Sequence, residues 1–294
     1  MVHLLETKYL LLFLNIIAGY LVTLILIKPV ISMIVTANFV RPNFRGENIP
    51  VGVGVIFLIS STVVIALNLL MLNILPGALT AAYPTISQAQ FIYRTVLFLT
   101  VISSITCLGL IDDNWGSRDA TGLKGHLLLL FKGKMTTGGL KALGGGFISL
   151  LISLLPGQND HIILNTLLLG LSINAVNLLD LRPGRAGKGF LLGVLILAVY
   201  GRGEADLLFL FIFLGLILAY LPYDLSAKVM MGDSGSNVLG ITLGITAVWL
   251  LSLKLKIILL VFLIGFHLLT EKYSLTKISE KNKLLNYLDR LGRQ

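Results

Sequence analysis

Residues 9–27, 51–72 and 257–269 form long apolar runs with almost no charge. Runs that approach or exceed about 18 residues read as membrane-spanning helices. Few other folds accommodate them. A water-soluble globular domain carries about 25% charged residues, and this chain of 294 has 13%. A disordered chain needs low hydrophobicity and high charge, yet 56% of these residues are hydrophobic. Strands of an outer-membrane barrel would alternate polar and apolar residues, and these runs do not. The single cysteine, Cys107, excludes an internal disulfide and any multi-cysteine metal site. Inside an apolar run it reads as a small buried hydrophobe.

Length and hydropathy predict an all-α, polytopic membrane protein with about nine spans. They fall near 8–35, 51–72, 91–111, 140–156, 162–179, 189–201, 207–222, 235–251 and 256–270. The first run lacks a small-residue cleavage site and exceeds a signal-peptide core, so it reads as a retained helix. Lys and Arg give the orientation. Loops after the odd-numbered spans hold Arg41, Arg45, Arg118, Lys124, Lys132, Lys134, Arg182, Arg185, Lys188, Lys228 and the basic tail. The opposite side holds only Lys8, Arg202, Lys254 and Lys256. That bias of about four to one places the odd loops and the C-terminal tail in the cytoplasm, with the N-terminus outside. The expected organisation is one integral-membrane domain over 1–294, with 271–294 a basic amphipathic tail. The +9 net charge is then a matter of orientation, and no nucleic acid is expected as a partner.

The acids share one side of that map. Asp112, Asp113, Asp180, Asp224 and Asp233 fall at or just beyond predicted cytoplasmic span ends. Ionisable groups at membrane depth are costly and point to function. Clustered carboxylates beside basic loops suit a divalent cation plus phosphates.

Four stretches carry the chemistry. The run DDNWG begins at Asp112, and the loop after it supplies Lys124, Lys132 and Lys134. The run NAVNLLD puts Asn174, Asn177 and Asp180 roughly on one helix face. The basic, glycine-rich turn RPGRAGK, from Arg182 to Lys188, follows and suits anions. The run MGDSGS, with Asp233 at its third position, leads into the eighth span. Small residues there let the backbone approach a ligand, and a helix N-terminus favours phosphate. The stretch from Arg41 to Gly54 reads as a basic loop entering a helix.

In this order and at these membrane positions, the four stretches resemble the polyprenyl-phosphate N-acetylhexosamine-1-phosphate transferases, over residues 41–290. The family includes the phospho-N-acetylmuramoyl-pentapeptide transferase and the GlcNAc-1-phosphate transferases. The resemblance implies catalytic roles for Asp112 and Asp113, with Asp112 as base or orienting group. It makes Asp233 a metal ligand, aided by Asp113. Asn174, Asn177, Asp180, Lys124 and Arg45 would contact substrate. The implied cofactor is Mg2+, with Mn2+ as the substitute. The implied partners are a UDP-sugar donor, a polyprenyl phosphate acceptor, membrane lipids and a second copy of the chain. The implied location is a bacterial cytoplasmic membrane, with the active site on the cytoplasmic face. The acceptor phosphate would attack the donor's β-phosphorus and release UMP, directly or through a covalent aspartyl phosphate. The chain departs from the pattern where the family continues Gly-x-Asp-Gly. Here Leu181, Arg182, Pro183 and Gly184 follow. The family's histidine-rich loop is missing, and His267 reads as a helix-end residue.

Two other readings stay open. An altered member could bind polyprenyl phosphate without turnover, or act as a transporter. An intramembrane aspartyl protease would use Asp224 and Asp233, but leaves Asp112 and Asp113 without a role. In the tail, Leu284, Leu288 and Leu291 recur at helical spacing among Lys281, Lys283, Arg290 and Arg293. That suits a helix on an anionic leaflet, or one packed on the catalytic loops. Gly240 and Gly244 form a GxxxG in the eighth span, read as close helix packing.

Overall fold

A computed structural model describes residues 2–75, 77, 82–83, 86–116, 129, 132–155 and 160–293. Its long helices are α1 (Val2–Thr36), α2 (Val55–Ile74), α3 (Gln88–Trp115), α4 (Thr137–Leu154), α5 (Ile162–Leu179), α6 (Arg185–Gly201), α7 (Leu208–Leu225), α8 (Asp233–Leu250) and α9 (Leu253–Lys272). Two short helices follow, α10 (Leu275–Lys281) and α11 (Lys283–Arg290). Each of α1–α9 lies where a span is expected. Among the described residues, seven segments are long and apolar enough to cross a membrane: Thr7–Thr36, Val55–Ile74, Gln88–Trp115, Thr137–Leu154, Ile162–Leu179, Ala205–Leu225 and Leu253–Lys272. The chain is a helical multi-pass membrane protein.

The two helices outside that set are α6 and α8. Helix α6 has 17 residues. Helix α8 carries Ser234, Ser236, Asn237, Thr242 and Thr246, all buried, and lies at the centre of the bundle against α3, α5 and α6. A helix surrounded by protein has no need of a lipid-compatible surface. Gly240 allows its close approach to α5: a Cβ there would meet the Ser172 carbonyl at 2.5 Å. The GxxxG thus serves close packing. Cys107 is exposed on α3 rather than buried as expected. In a membrane protein an outward apolar position faces lipid, and burial in protein cannot be inferred from hydrophobicity alone.

Local signals account for several helix starts. Ser87 caps α3 in a reciprocal capping box with Gln90, and Thr136 caps α4 by accepting from Gly139 N–H. The expected loop between the first two spans instead contains a hairpin. Strands β1 (Val40–Pro42) and β2 (Asn48–Pro50) pair antiparallel, with Arg41 opposite Ile49. Asn43 organises the turn. Its Oδ1 accepts from the backbone of Arg45 (2.8 Å) and Glu47 (3.1 Å). The segment before α8 joins the hairpin's outgoing end: Met230 N–H donates to Pro50 O at 2.8 Å, and Val53 N–H to Met230 O at 3.1 Å.

Candidate active site

The end of α3 and the start of α8 meet through Asp113. Its Oδ1 accepts from Asp233 N–H (2.8 Å) and its Oδ2 from Ser234 N–H (3.0 Å). Helix α8 has no side-chain cap of its own. The α3 carboxylate satisfies two of the donors that a helix start leaves unpaired. The approach requires glycine. Gly232 has φ +72° and ψ −179°, a region that side chains scarcely adopt. A Cβ there would also lie 2.6 Å from the Asp113 carboxylate. Gly109 gives the same freedom on α3, since its Cβ would meet the Asp233 carbonyl at 2.6 Å. Arg41, from the hairpin, donates to the Asp113 carbonyl at 2.6 Å.

Asp112 and Asp233 converge on Lys141, one turn into α4. Its ammonium donates to Asp112 Oδ2 at 3.0 Å and to Asp233 Oδ2 in a closer contact. Asn177 donates to Asp233 Oδ2 at 3.3 Å, and its Oδ1 accepts from Ser236 Oγ at 3.4 Å. Four helices thus contribute to one polar cluster: α3, α4, α5 and α8. Lys141 had no place among the expected site residues. The available signal was an ammonium one turn inside an apolar helix, which is functional by default.

Asp180 ends α5 and is partly buried. Burial pushes its carboxyl well above the usual range, and the nearby Asp224, Asp233 and Asp113 charges add to this. A hydrogen bond from Gly232 N–H opposes the shift. Asn174 is exposed and its side chain makes no hydrogen bond to the described residues, so only the later part of the NAVNLLD face reaches the cluster. Arg45 sits at the hairpin turn. Its guanidinium lies 5.1 Å from the Phe44 ring centre, and Arg182 approaches the same ring at 5.5 Å. That pair forms a basic rim rather than part of the carboxylate cluster. Lys124 lies outside the described residues. Asp224 accepts from Gly184 N–H at 2.9 Å, while Asp233 turns to Lys141. The two acids that a protease would pair therefore have separate partners.

The donor set fits Mg2+. That ion is commonly held by one or two carboxylates, with substrate phosphates completing its shell. Asp112 and Asp233 form such a pair and already share one cation, the Lys141 ammonium. Among the described residues no three His, Cys, Asp or Glu side chains converge as a ready-made metal site. Asp113, assigned on sequence to aid the metal, directs both oxygens at the start of α8.

Comparison with known proteins bears on this cluster directly. The profile of glycosyl transferase family 4 matches residues 95–251, a stretch that contains Asp112, Lys141, Asn177 and Asp233. A decaprenyl-phosphate N-acetylglucosaminephosphotransferase of Mycolicibacterium smegmatis is 32% identical over 187 residues. The protein of the same name from Mycobacterium leprae is 28% identical over 186 residues. Each match covers 56% of this chain and 44% of the relative, so the chain spans less than half the length of either.

Proposed function

Since the chain belongs to glycosyl transferase family 4, we propose that it transfers N-acetylglucosamine 1-phosphate from a UDP-sugar to a polyprenyl phosphate and releases UMP. The observation that carries this reading is the meeting of Asp112, Lys141 and Asp233, from three helices, at the start of α8. The matched relatives, named for decaprenyl phosphate and N-acetylglucosamine, support the substrate classes.

Asp112 and Asp233 would hold Mg2+, which when bound neutralises the donor pyrophosphate. Asn177 orients the Asp233 carboxylate through its amide. Lys141 keeps the two carboxylates together before substrate arrives and supplies positive charge beside incoming phosphates. Asp112 accepts from Lys141 at the cluster's edge and orients the acceptor phosphate for in-line attack. Asp113 fixes the register of α3 on α8, so Asp112 and Asp233 stay in reach of one another. Arg45 and Arg182 at the hairpin rim suit the approach of an anionic donor.

Nine spans, an outside N-terminus and a cytoplasmic active face in a bacterial cytoplasmic membrane belong to the same proposal. They are supported by the one-sided Lys and Arg loops and by the positions of α1–α9. The experiment is direct. Purified protein is incubated with decaprenyl or undecaprenyl phosphate, Mg2+ and a panel of UDP-sugars, and UMP release is followed. Turnover should require Mg2+ and an N-acetylhexosamine donor. No UMP release with any donor, or full release by Asp233→Asn, would contradict the proposal.

A further inference from the structure

The tail after α9 is fastened to the ends of two long helices. Arg185, the first residue of α6, grips Asp289 with two bonds: Nε to Oδ1 at 2.7 Å and Nη2 to Oδ2 at 3.1 Å. Lys188, one turn further on, donates to the carbonyls of Leu288 (2.9 Å) and Asp289 (2.8 Å). A cation on the last carbonyls of a helix satisfies groups that would otherwise lack partners. Arg293 donates to the Pro183 carbonyl at 3.1 Å and to Asp289 Oδ1 at 3.2 Å. Gly292 lies against Leu225 at the end of α7. The turn read from sequence as an anion site therefore directs Arg185 and Lys188 at the protein's own tail.

These bonds fix the depth of α11. It lies level with the first turn of α6 and the last turn of α7, at the end of the bundle. Its other face has no partner among the described residues: Leu284, Tyr287, Leu288 and Leu291 are 66, 65, 46 and 50% exposed. They recur at i, i+3, i+4 and i+7, which is one helix face. The exposed cations Lys283 and Arg290 stand on α11 itself, and Lys277 and Lys281 on the preceding α10. Of the two acids after α9's end, Asp289 is held in the clamp and only Glu280 stands exposed beside the cations.

We propose that α11 is an interfacial helix whose apolar face lies in the headgroup region of an anionic leaflet, held at that depth by the Arg185–Asp289 clamp. Apolar area and surrounding cations at the end of a span are the two features such binding needs. Nothing in it depends on the transferase reading.

The test uses the full chain in nanodiscs of phosphatidylcholine, alone or mixed with phosphatidylglycerol. Cys107→Ser provides the background, and nitroxides are attached through Leu284→Cys, Leu288→Cys and Glu280→Cys in separate samples. Labels at 284 and 288 should collide more with oxygen than with a water-soluble nickel chelate, and the label at 280 should do the reverse. Phosphatidylglycerol should deepen 284 and 288. In the Leu288→Cys protein, Asp289→Asn should raise label mobility while overall thermal stability holds. The proposal is overturned if 284 and 288 are as accessible to nickel as 280. Dipolar broadening between labels would also overturn it, because a second copy would then cover the face.

Discussion

The Lys141 cluster and the Asp289 cluster are both built from carboxylates and cations, with opposite balances. In the first, one ammonium serves Asp112 and Asp233, and Asp113 and Asp180 lie close by. In the second, one carboxylate serves Arg185 and Arg293, with Lys188 on the adjoining carbonyls. A surplus of negative charge asks for a further cation and the phosphates that come with it. A surplus of positive charge, with its donors already directed at the tail, makes a fastening beside an anionic surface. On the proposed reading, similar chemistry gives a reactive centre in one place and an attachment in the other, and net balance decides which.

The largest expected effect strikes the negative cluster. Asp233→Asn keeps the shape and removes the charge shared with Lys141, and turnover should fall about a hundred- to thousand-fold. Comparison of UMP release rates at saturating Mg2+ checks this. Lys141→Gln should cost about a hundredfold in turnover, yet bind Mn2+ more tightly, because the competing ammonium is gone. Manganese titration followed by electron paramagnetic resonance reads that split. A lysine that only supported packing would not move metal affinity upward.

Smaller effects follow from the joints. Gly232→Ala places a Cβ against Asp113 in a backbone region suited to glycine. It should destabilise the protein by about 1–3 kcal/mol, measured by thermal unfolding in detergent. The positive cluster should respond least, and only to acid. Burial alone would raise the Asp289 carboxyl, but its bonds with Arg185 and the Arg185 and Arg293 charges hold it below the ordinary value. Its contribution is therefore complete above about pH 4 and fades as pH falls below that. Proteolytic cleavage of the tail should stay constant from neutral pH down to about pH 5 and rise only in stronger acid. A rise already near neutral pH would remove the clamp from the account.

Much of this was legible in the sequence. Apolar runs marked where α1–α9 lie, and the DDNWG, NAVNLLD and MGDSGS stretches contain most of the clustered residues. Lys141 was missed because it stands at the very start of the span expected over 140–156, whereas α4 begins a turn earlier, at Thr137. The hairpin was missed because its strands are three residues each, too short for an alternating pattern. Asn174 shared the helical spacing but not the contacts, since two steps of three residues drift around a helix with 3.6 per turn. The clamp joins Arg185 to Asp289 across 104 residues, and no local pattern encodes such a meeting. Helix α8 shows the same limit. Its small polar residues lower its hydropathy, yet it is the most enclosed long helix, because neighbouring helices and not lipid surround it.

Transfer of a sugar 1-phosphate through the Asp112 and Asp233 pair is the central claim, and one measurement reaches it most directly. UDP-N-acetylglucosamine labelled in its β-phosphate is supplied with polyprenyl phosphate and Mg2+ to the purified full chain. The account predicts that the label moves into the lipid product as UMP appears, and that Asp233→Asn leaves it on the nucleotide. Label retained on released UDP, with unlabelled sugar on the lipid, would contradict it.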